Sequence, residues 1–245
     1  MPNRSFRVEV ALPRIANVWL LSDGEGRRFL VDTGHRLERQ ALALSLRRAG
    51  VERGGLTAVL LTHRHCDHAG NAAWLRRELR CPVICHAADA APLSGQEPRP
   101  RLAGRGLGAI HDVLCRVEDA FPARCLIDDV YDEGSWRWGF HVIPVPGHTA
   151  GSALLWHEPS GTLFTGDAIL AGAPVQRLHA RLSLAIPAYS EDVLACHRAT
   201  LAFLAERRPI RTLCAGHGPR VSERLPALFD RLREQSAERQ RQPPR

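Results

Sequence analysis

Leu61-Thr62-His63-Arg64-His65-Cys66-Asp67-His68-Ala69-Gly70-Asn71 sets three histidines and an aspartate within six residues. The apolar run Thr57-Ala58-Val59-Leu60-Leu61 ahead of it reads as a strand, and Asn71 to Leu79 behind it reads as a helix. The cluster therefore stands at the C-terminal end of a strand, where open α/β sheets place their sites. Imidazole suits zinc and other first-row divalent ions, and a carboxylate adds hard oxygen ligation. His63 and His65, two apart on an extended segment, can point the same way and grip one ion, while Asp67 and His68 lie past the bend towards a second. A lone histidine is more often a packed or surface residue. So dense a group of titratable side chains marks a functional site.

Three further segments repeat the arrangement downstream. Pro146-Gly147-His148-Thr149-Ala150-Gly151-Ser152 follows an expected strand, Phe140 to Val145. Leu163-Phe164-Thr165-Gly166-Asp167-Ala168 brings a carboxylate, and Leu213-Cys214-Ala215-Gly216-His217-Gly218-Pro219 brings an imidazole. A glycine precedes His148, Asp167 and His217 in each case, where a chain can turn sharply without a Cβ clash.

With Val31-Asp32-Thr33-Gly34 added, these five ordered motifs resemble the metallo-β-lactamase superfamily over residues 6 to 220. The resemblance implies an α/β fold, an αββα four-layer sandwich with the metals in a cleft along one edge. It implies that His63, His65 and His148 hold a first ion, that Asp67, His68 and His217 hold a second, and that Asp167 bridges them together with a hydroxide. Two divalent ions are expected, Zn²⁺ first, with Mn²⁺ or Fe²⁺ as alternatives. Water bound to such ions is a nucleophile at neutral pH, so no protein nucleophile is needed. Asp67, whose second oxygen can face the hydroxide, is the expected catalytic residue, orienting it and receiving a proton. The aspartate matching Asp32 supports the metal loop through hydrogen bonds in the superfamily. Cys66 is expected to pack beneath the metals, and Trp136 and Trp138 to share one sheet face.

Composition narrows the setting. A chain of 245 residues, 44% hydrophobic, can bury a full core as one domain, expected over residues 1–237 with a polar tail at 238–245. No apolar stretch reaches the length of a membrane span, and Met1 to Arg7 lacks the apolar region of a signal peptide, so a cytoplasmic protein is expected. The seven cysteines form no Cys-x-x-Cys pair and read as reduced core thiols. All 33 basic residues are arginines, which excludes Schiff-base and phosphate-loop lysine chemistry. The net charge of +7 could suit an anionic partner, but the arginines scatter along helical stretches such as Arg36 to Arg48 and Arg224 to Arg233.

Strands are expected at Phe6 to Leu12, Ile15 to Ser22, Arg27 to Val31, Pro82 to Cys85, Cys125 to Val130, Ser135 to Trp138, Ser152 to Trp156, Thr162 to Phe164 and Arg211 to Cys214. Helices are expected at His35 to Ala49, Ser190 to Glu206 and Glu223 to Ser236. The segment at about 86–116, rich in proline and glycine and carrying Arg99, Arg101 and Arg105, reads as a lid-like insertion. A second rim segment runs from Ala171 to Ser190 and carries Tyr189.

Departures within the superfamily select the reaction. Zinc β-lactamases lack an aspartate at the bridging position, so Asp167 argues against antibiotic hydrolysis. Quorum-quenching lactonases carry a tyrosine shortly after that aspartate, where this chain has Ala168-Ile169-Leu170. Glyoxalase II has a C-terminal glutathione-binding region, whereas only about 28 residues follow His217 here. Persulfide dioxygenases use one iron and lack the full second set. The expectation is a dinuclear hydrolase of the glyoxalase II-like or thioesterase-like kind. Its partner is expected to be a small acyl substrate (thioester, ester or lactone), and the alternative is an endoribonuclease acting on single-stranded RNA. No membrane partner is expected.

Overall fold

The computed structural model describes residues 7–13, 15–102, 108–172 and 181–241. Six strands form the first sheet in chain order: β1 (Arg7–Pro13), β2 (Asn17–Ser22), β3 (Arg28–Val31), β4 (Ala58–Leu60), β5 (Val83–His86) and β6 (Asp129–Tyr131). β1 to β3 are antiparallel and β3 to β6 run parallel. Between β3 and β6 lie helices α1 (Arg39–Arg48), α2 (Cys66–Ala69), α3 (Ala72–Leu79), α4 (Ala87–Ser94) and α5 (Ala109–Ala120). Next come β7 (Gly134–Ser135), β8 (Phe140–Pro144), β9 (Ala153–His157) and β10 (Thr162–Gly166), then a short hairpin of β11 (Ile169–Leu170) and β12 (Ser183–Leu184). Helix α6 (Val193–Ala205), β13 (Thr212–Ala215) and helix α7 (Leu225–Arg241) complete the chain. The second sheet has the order β13-β10-β9-β8-β7.

Strand alternation builds the layers. On the first sheet Trp19, Leu21, Phe29, Val31, Ala58 and Leu60 point one way, and they pack with Phe140, Val142, Ala153, Leu155 and Phe164 of the second sheet in a shared buried cluster. Their neighbours Leu20, Leu30, Val59 and Val83 point the other way, against Leu42, Leu46 and Leu75 of α1 and α3. Leu154, Trp156 and Leu163 likewise turn from the inter-sheet core onto Cys196, Phe203 and Leu232 of α6 and α7. The outcome is the expected αββα sandwich. No helix among the described residues is long and apolar enough to cross a membrane.

Several boundaries depart from expectation. The strand expected from Cys125 pairs only from Asp129: Cys125 N donates to Leu93 O, and the Asp128 carboxylate accepts from Val83 N and Arg76 while Asp128 N donates to Val83 O. Trp136 and Trp138 do not share a strand: Trp138 adopts φ 58° within a 3₁₀ turn, Arg137–Gly139. The two rings meet edge to face at 5.4 Å, and Trp138 packs on Phe29 at 5.1 Å. The segment expected as a lid holds α4 and α5, and α7 continues to Arg241, inside the expected tail. Arg105, residues 173–180 of the second rim segment and the terminal residues 242–245 lie outside the described residues.

Candidate metal centre

The parallel ladder β3-β4-β5 ends at one rim of the sandwich, and the chain leaves β4 there into Leu61 to His68. Loops after β8, β10 and β13 reach the same rim and deliver His148, Asp167 and His217. Three groups of donors converge there: His63, His65 and His148; His63, His68 and Asp167; and Asp67, His68 and His217, each with its ligand atoms within 4.8 Å of one another. All seven residues expected from the sequence are thus brought together. Asp167 stands between the outer groups, with Oδ1 3.2 Å from His68 Nε2 and Oδ2 3.4 Å from His217 Nε2 and 3.7 Å from His148 Nε2. Asp67 Oδ2 lies 3.5 Å from His217 Nε2.

The hydrogen-bond network fixes which ring nitrogens face the cleft. The Asp32 carboxylate can only accept, so the Thr62 hydroxyl donates to it at 2.8 Å and must accept from His63 Nδ1–H at 3.1 Å. Ser190 Oγ donates to Ile186 O at 2.8 Å and therefore accepts from His148 Nδ1–H at 3.0 Å. His68 Nδ1–H donates to Asp32 Oδ2 at 2.9 Å. Each bond leaves the Nε2 lone pair of its ring pointing inwards, which is how outer hydrogen bonds orient metal-binding imidazoles. The Nε2 atoms of His63, His65 and His148 are buried without a hydrogen-bond partner, and His68 Nε2 and Asp167 Oδ1 meet each other at 3.2 Å. Buried polar atoms are normally paired, so donors that converge with no partner outside their own cluster are the signature of a site built for ions. The residues present fit two divalent metals.

Electrostatics divide the donors into two sets. Burial, reinforced by neighbouring imidazoles, holds His63 and His65 well below the usual histidine range. Burial likewise lowers His148, to about 4. Burial would also lower His68 and His217, but the carboxylates outweigh it: Asp67, Asp167 and Asp32 raise His68, and Asp167 and Asp67 push His217 up to about 10. Burial opposes ionisation of Asp167, yet the His217 and His68 imidazoles hold its carboxyl well below the ordinary range.

Residues that no motif revealed hold the loops in place. Asp89 on α4 is fully buried; its Oδ1 accepts from Arg64 Nη1 at 2.9 Å and Gly151 N at 3.0 Å, and its Oδ2 from Thr149 Oγ1 at 2.7 Å. Arg64 also pairs with Glu191, so one buried guanidinium links the His63–His65 strand end to the loop around His148. Asn17 Nδ2 and Trp19 Nε1 on β2 both donate to Ala215 O at 3.0 Å, anchoring the approach to His217. Asp32 itself takes φ 61°, which aims its carboxylate at both Thr62 and His68. At Gly147 (φ 128°) a Cβ would fall 2.1 Å from Asp192 O, and at Gly216 it would fall 2.5 Å from both Asp167 Oδ1 and His68 Cε1. The second glycine is thus required by close approach rather than by its dihedrals.

The other candidates fall outside the donor set. Cys66 packs in the core beneath the loop, its thiol pushed up by burial. His35 caps the 3₁₀ turn Arg36–Glu38, accepting from Leu37 N. Arg99 turns inwards: Nε donates to Pro92 O at 3.3 Å, Nη2 donates to Ala123 O, and Nη1 lies 3.6 Å from Glu118. Tyr189 hydrogen-bonds His111 at 2.7 Å. A cavity of about 160 Å³ opens beside His65, lined by Arg64, Arg99, Arg101, Glu118 and Asp119 among others.

Known proteins resemble this chain in sequence and in fold. The probable metallo-hydrolase YybB of Bacillus subtilis (strain 168) is 30% identical over 163 residues, which span 66% of this chain and 66% of that protein. A hydroxyacylglutathione hydrolase of Alkalilimnicola ehrlichii is 28% identical over 238 residues, 96% of this chain and 78% of its own length. The crystal structure of TTHA1623 in a di-iron-bound form superimposes with a TM-score of 0.63 at 25% identity, covering 92% of this chain and 98% of that one. The description of the metallo-beta-lactamase superfamily matches residues 11–217, from the first strand to the last histidine of the cluster, and the chain belongs to that superfamily as a metal-dependent hydrolase.

Proposed function

We propose that the protein hydrolyses an acyl bond in a small molecule, a thioester, ester or lactone, using two zinc ions held by His63, His65 and His148 on one side and Asp67, His68 and His217 on the other, with Asp167 shared. The observation that carries this reading is the set of inward donor atoms, with no partner outside their own cluster, grouped around Asp167. Bound there, two divalent ions supply an activated water and a Lewis acid for the attacked carbonyl. The chain's own residues do the rest. The Asp67 side chain is a quarter exposed, with Oδ2 beside His68 and His217, and is placed to accept a proton from a water in the cleft. His63, His68 and His148 are fixed in one tautomer by Thr62, Asp32 and Ser190, so their nitrogens need no reorientation during turnover.

A small acyl substrate suits the surroundings better than RNA. The cavity beside His65 has room for a small group, and Arg99, on the lid-like segment, spends its donors on backbone carbonyls. The relative named hydroxyacylglutathione hydrolase supports a thioester. The seven cysteines are buried, which fits a reducing, cytoplasmic setting.

The test is a screen of zinc-loaded protein against thioesters, lactones, β-lactams and single-stranded RNA at about 50 and 200 mM salt. Acyl hydrolysis that changes little with salt is the expected result. RNA cleavage with binding that falls roughly 10³-fold over that range, as six or more phosphate contacts would produce, overturns it. Asp67→Asn should lower turnover more than metal content, because the amide can still coordinate through oxygen but cannot accept the proton. Full turnover in that variant removes Asp67 from its role.

A further inference from the structure

Helix α5 buries one side and leaves the other bare. On the buried side, His111 bonds Tyr189, Cys115 Sγ donates to Ala188 O at 3.3 Å, and Glu118 accepts from Cys66 N at 2.8 Å. On the opposite side Ile110, Val113, Leu114, Val117 and Phe121 are 40 to 77% exposed, at the i, i+3, i+4, i+7 spacing of a helix made to pack. Arg36 lies over the Phe121 ring, 4.7 Å from its centroid. It carries the apolar face on to the 3₁₀ turn Arg36–Glu38, where Leu37 is 81% exposed. The charges flanking the row cancel, since Arg116 pairs with Asp112 at 2.8 Å.

We propose that this face is the interface with a second copy of the chain, packed α5 against α5 about a two-fold axis. Two observations select a second copy over another occupant. The first is area: the row exposes on the order of 500 Å² per protomer, a patch of the size that often marks an interaction site, and a paired contact reaches the roughly 1,000 Å² that a specific interface must clear. The second is register. Reversing the helix about the midpoint between Leu114 and Val117 carries Ile110 onto Phe121 and Leu114 onto Val117. The row is thus complementary to itself, as a two-fold interface requires. The interface stands independently of the substrate, but it bears on the same site, because the helix that pairs also holds Cys66 N beside Asp67.

Sedimentation velocity of the metal-loaded protein is run from about 1 to 100 µM, the weak end of the affinities that protein interfaces show. The expected result is a dimer whose fraction rises with concentration, and monomer mass throughout for Val113→Glu/Leu114→Glu with unchanged circular dichroism and metal content. Monomer mass for the unmodified protein over the whole range overturns the proposal, whether or not it then adsorbs to phosphatidylcholine vesicles. So does a dimer that survives the double substitution. If the double variant does not fold, Leu114→Gln alone, expected to shift the dimer to at least tenfold higher concentration, replaces it.

Discussion

The two halves of the metal centre are built from opposite electrostatic materials. His63, His65 and His148 are buried among one another, and hydroxyl groups hold two of their outer nitrogens. Asp67, His68 and His217 are mixed with carboxylates, and the Asp67 side chain is a quarter exposed. The first set is neutral at any physiological pH before a metal arrives. The second is a cluster of acid–imidazole pairs that holds protons where the ion must sit. Desolvation governs one half and charge pairing the other, so the ions should not be equivalent.

The largest effect should come from the residue that joins the halves. Asp167 touches donors of both, so Asp167→Ala should lower kcat/KM by about 10³-fold or more and leave at most one firmly held ion per chain, measured by elemental analysis after dialysis. Retention of both ions with full turnover would show the halves to be independent.

An intermediate effect follows from pH. A raised pKa means that His68 and His217 keep their protons at neutral pH in the metal-free protein, and each proton must leave before its nitrogen can ligate. Affinity for the second ion should therefore fall about tenfold per displaced proton for each unit of pH lowered. The first ion should hold until His148 gains a proton near pH 4. Dialysis against a fixed zinc buffer should show two ions at pH 8 and one at pH 6. Loss of both together would erase the distinction.

The smallest effect tests the outer supports. Asp32→Asn keeps a residue tolerant of φ 61° but weakens the partner of His68, and should reduce second-ion affinity about 10- to 100-fold. Ser190→Ala removes only a neutral acceptor from His148 and should weaken the first ion by a few-fold, both read by competitive zinc titration. The reverse ranking would mean that charge is not what separates the halves.

The donors were legible in sequence because each sits directly after a strand, where local order places it. Their division into charged and neutral halves was not, since it depends on how each ring is buried and on Asp167 meeting His68 and His217 across the fold. Arg64 stands between two ligands, and nothing in its sequence neighbourhood announces Asp89 or Glu191, the latter 127 residues distant. The segment from His86 to Arg116 suggested a loop because prolines and glycines crowd it. Yet Pro92 is accommodated within α4, and the apolar spacing of Ile110, Val113, Leu114 and Val117 carries a helix there. Trp136 and Trp138 looked like strand alternation, but side-chain packing on Phe29 overrode it with a left-handed turn.

The donors are drawn from both sheets, His63 to His68 from the end of β4 and the others from the ends of β8, β10 and β13. An ion there is a rivet through the sandwich, and free ion concentration becomes a term in the protein's persistence. By mass action, ion at a thousand times its dissociation constant adds about 4 kcal/mol to the folded state. Metal shortage should consequently be felt first as lifetime, with the rim loops opening to proteolysis before the helices on the outer faces loosen.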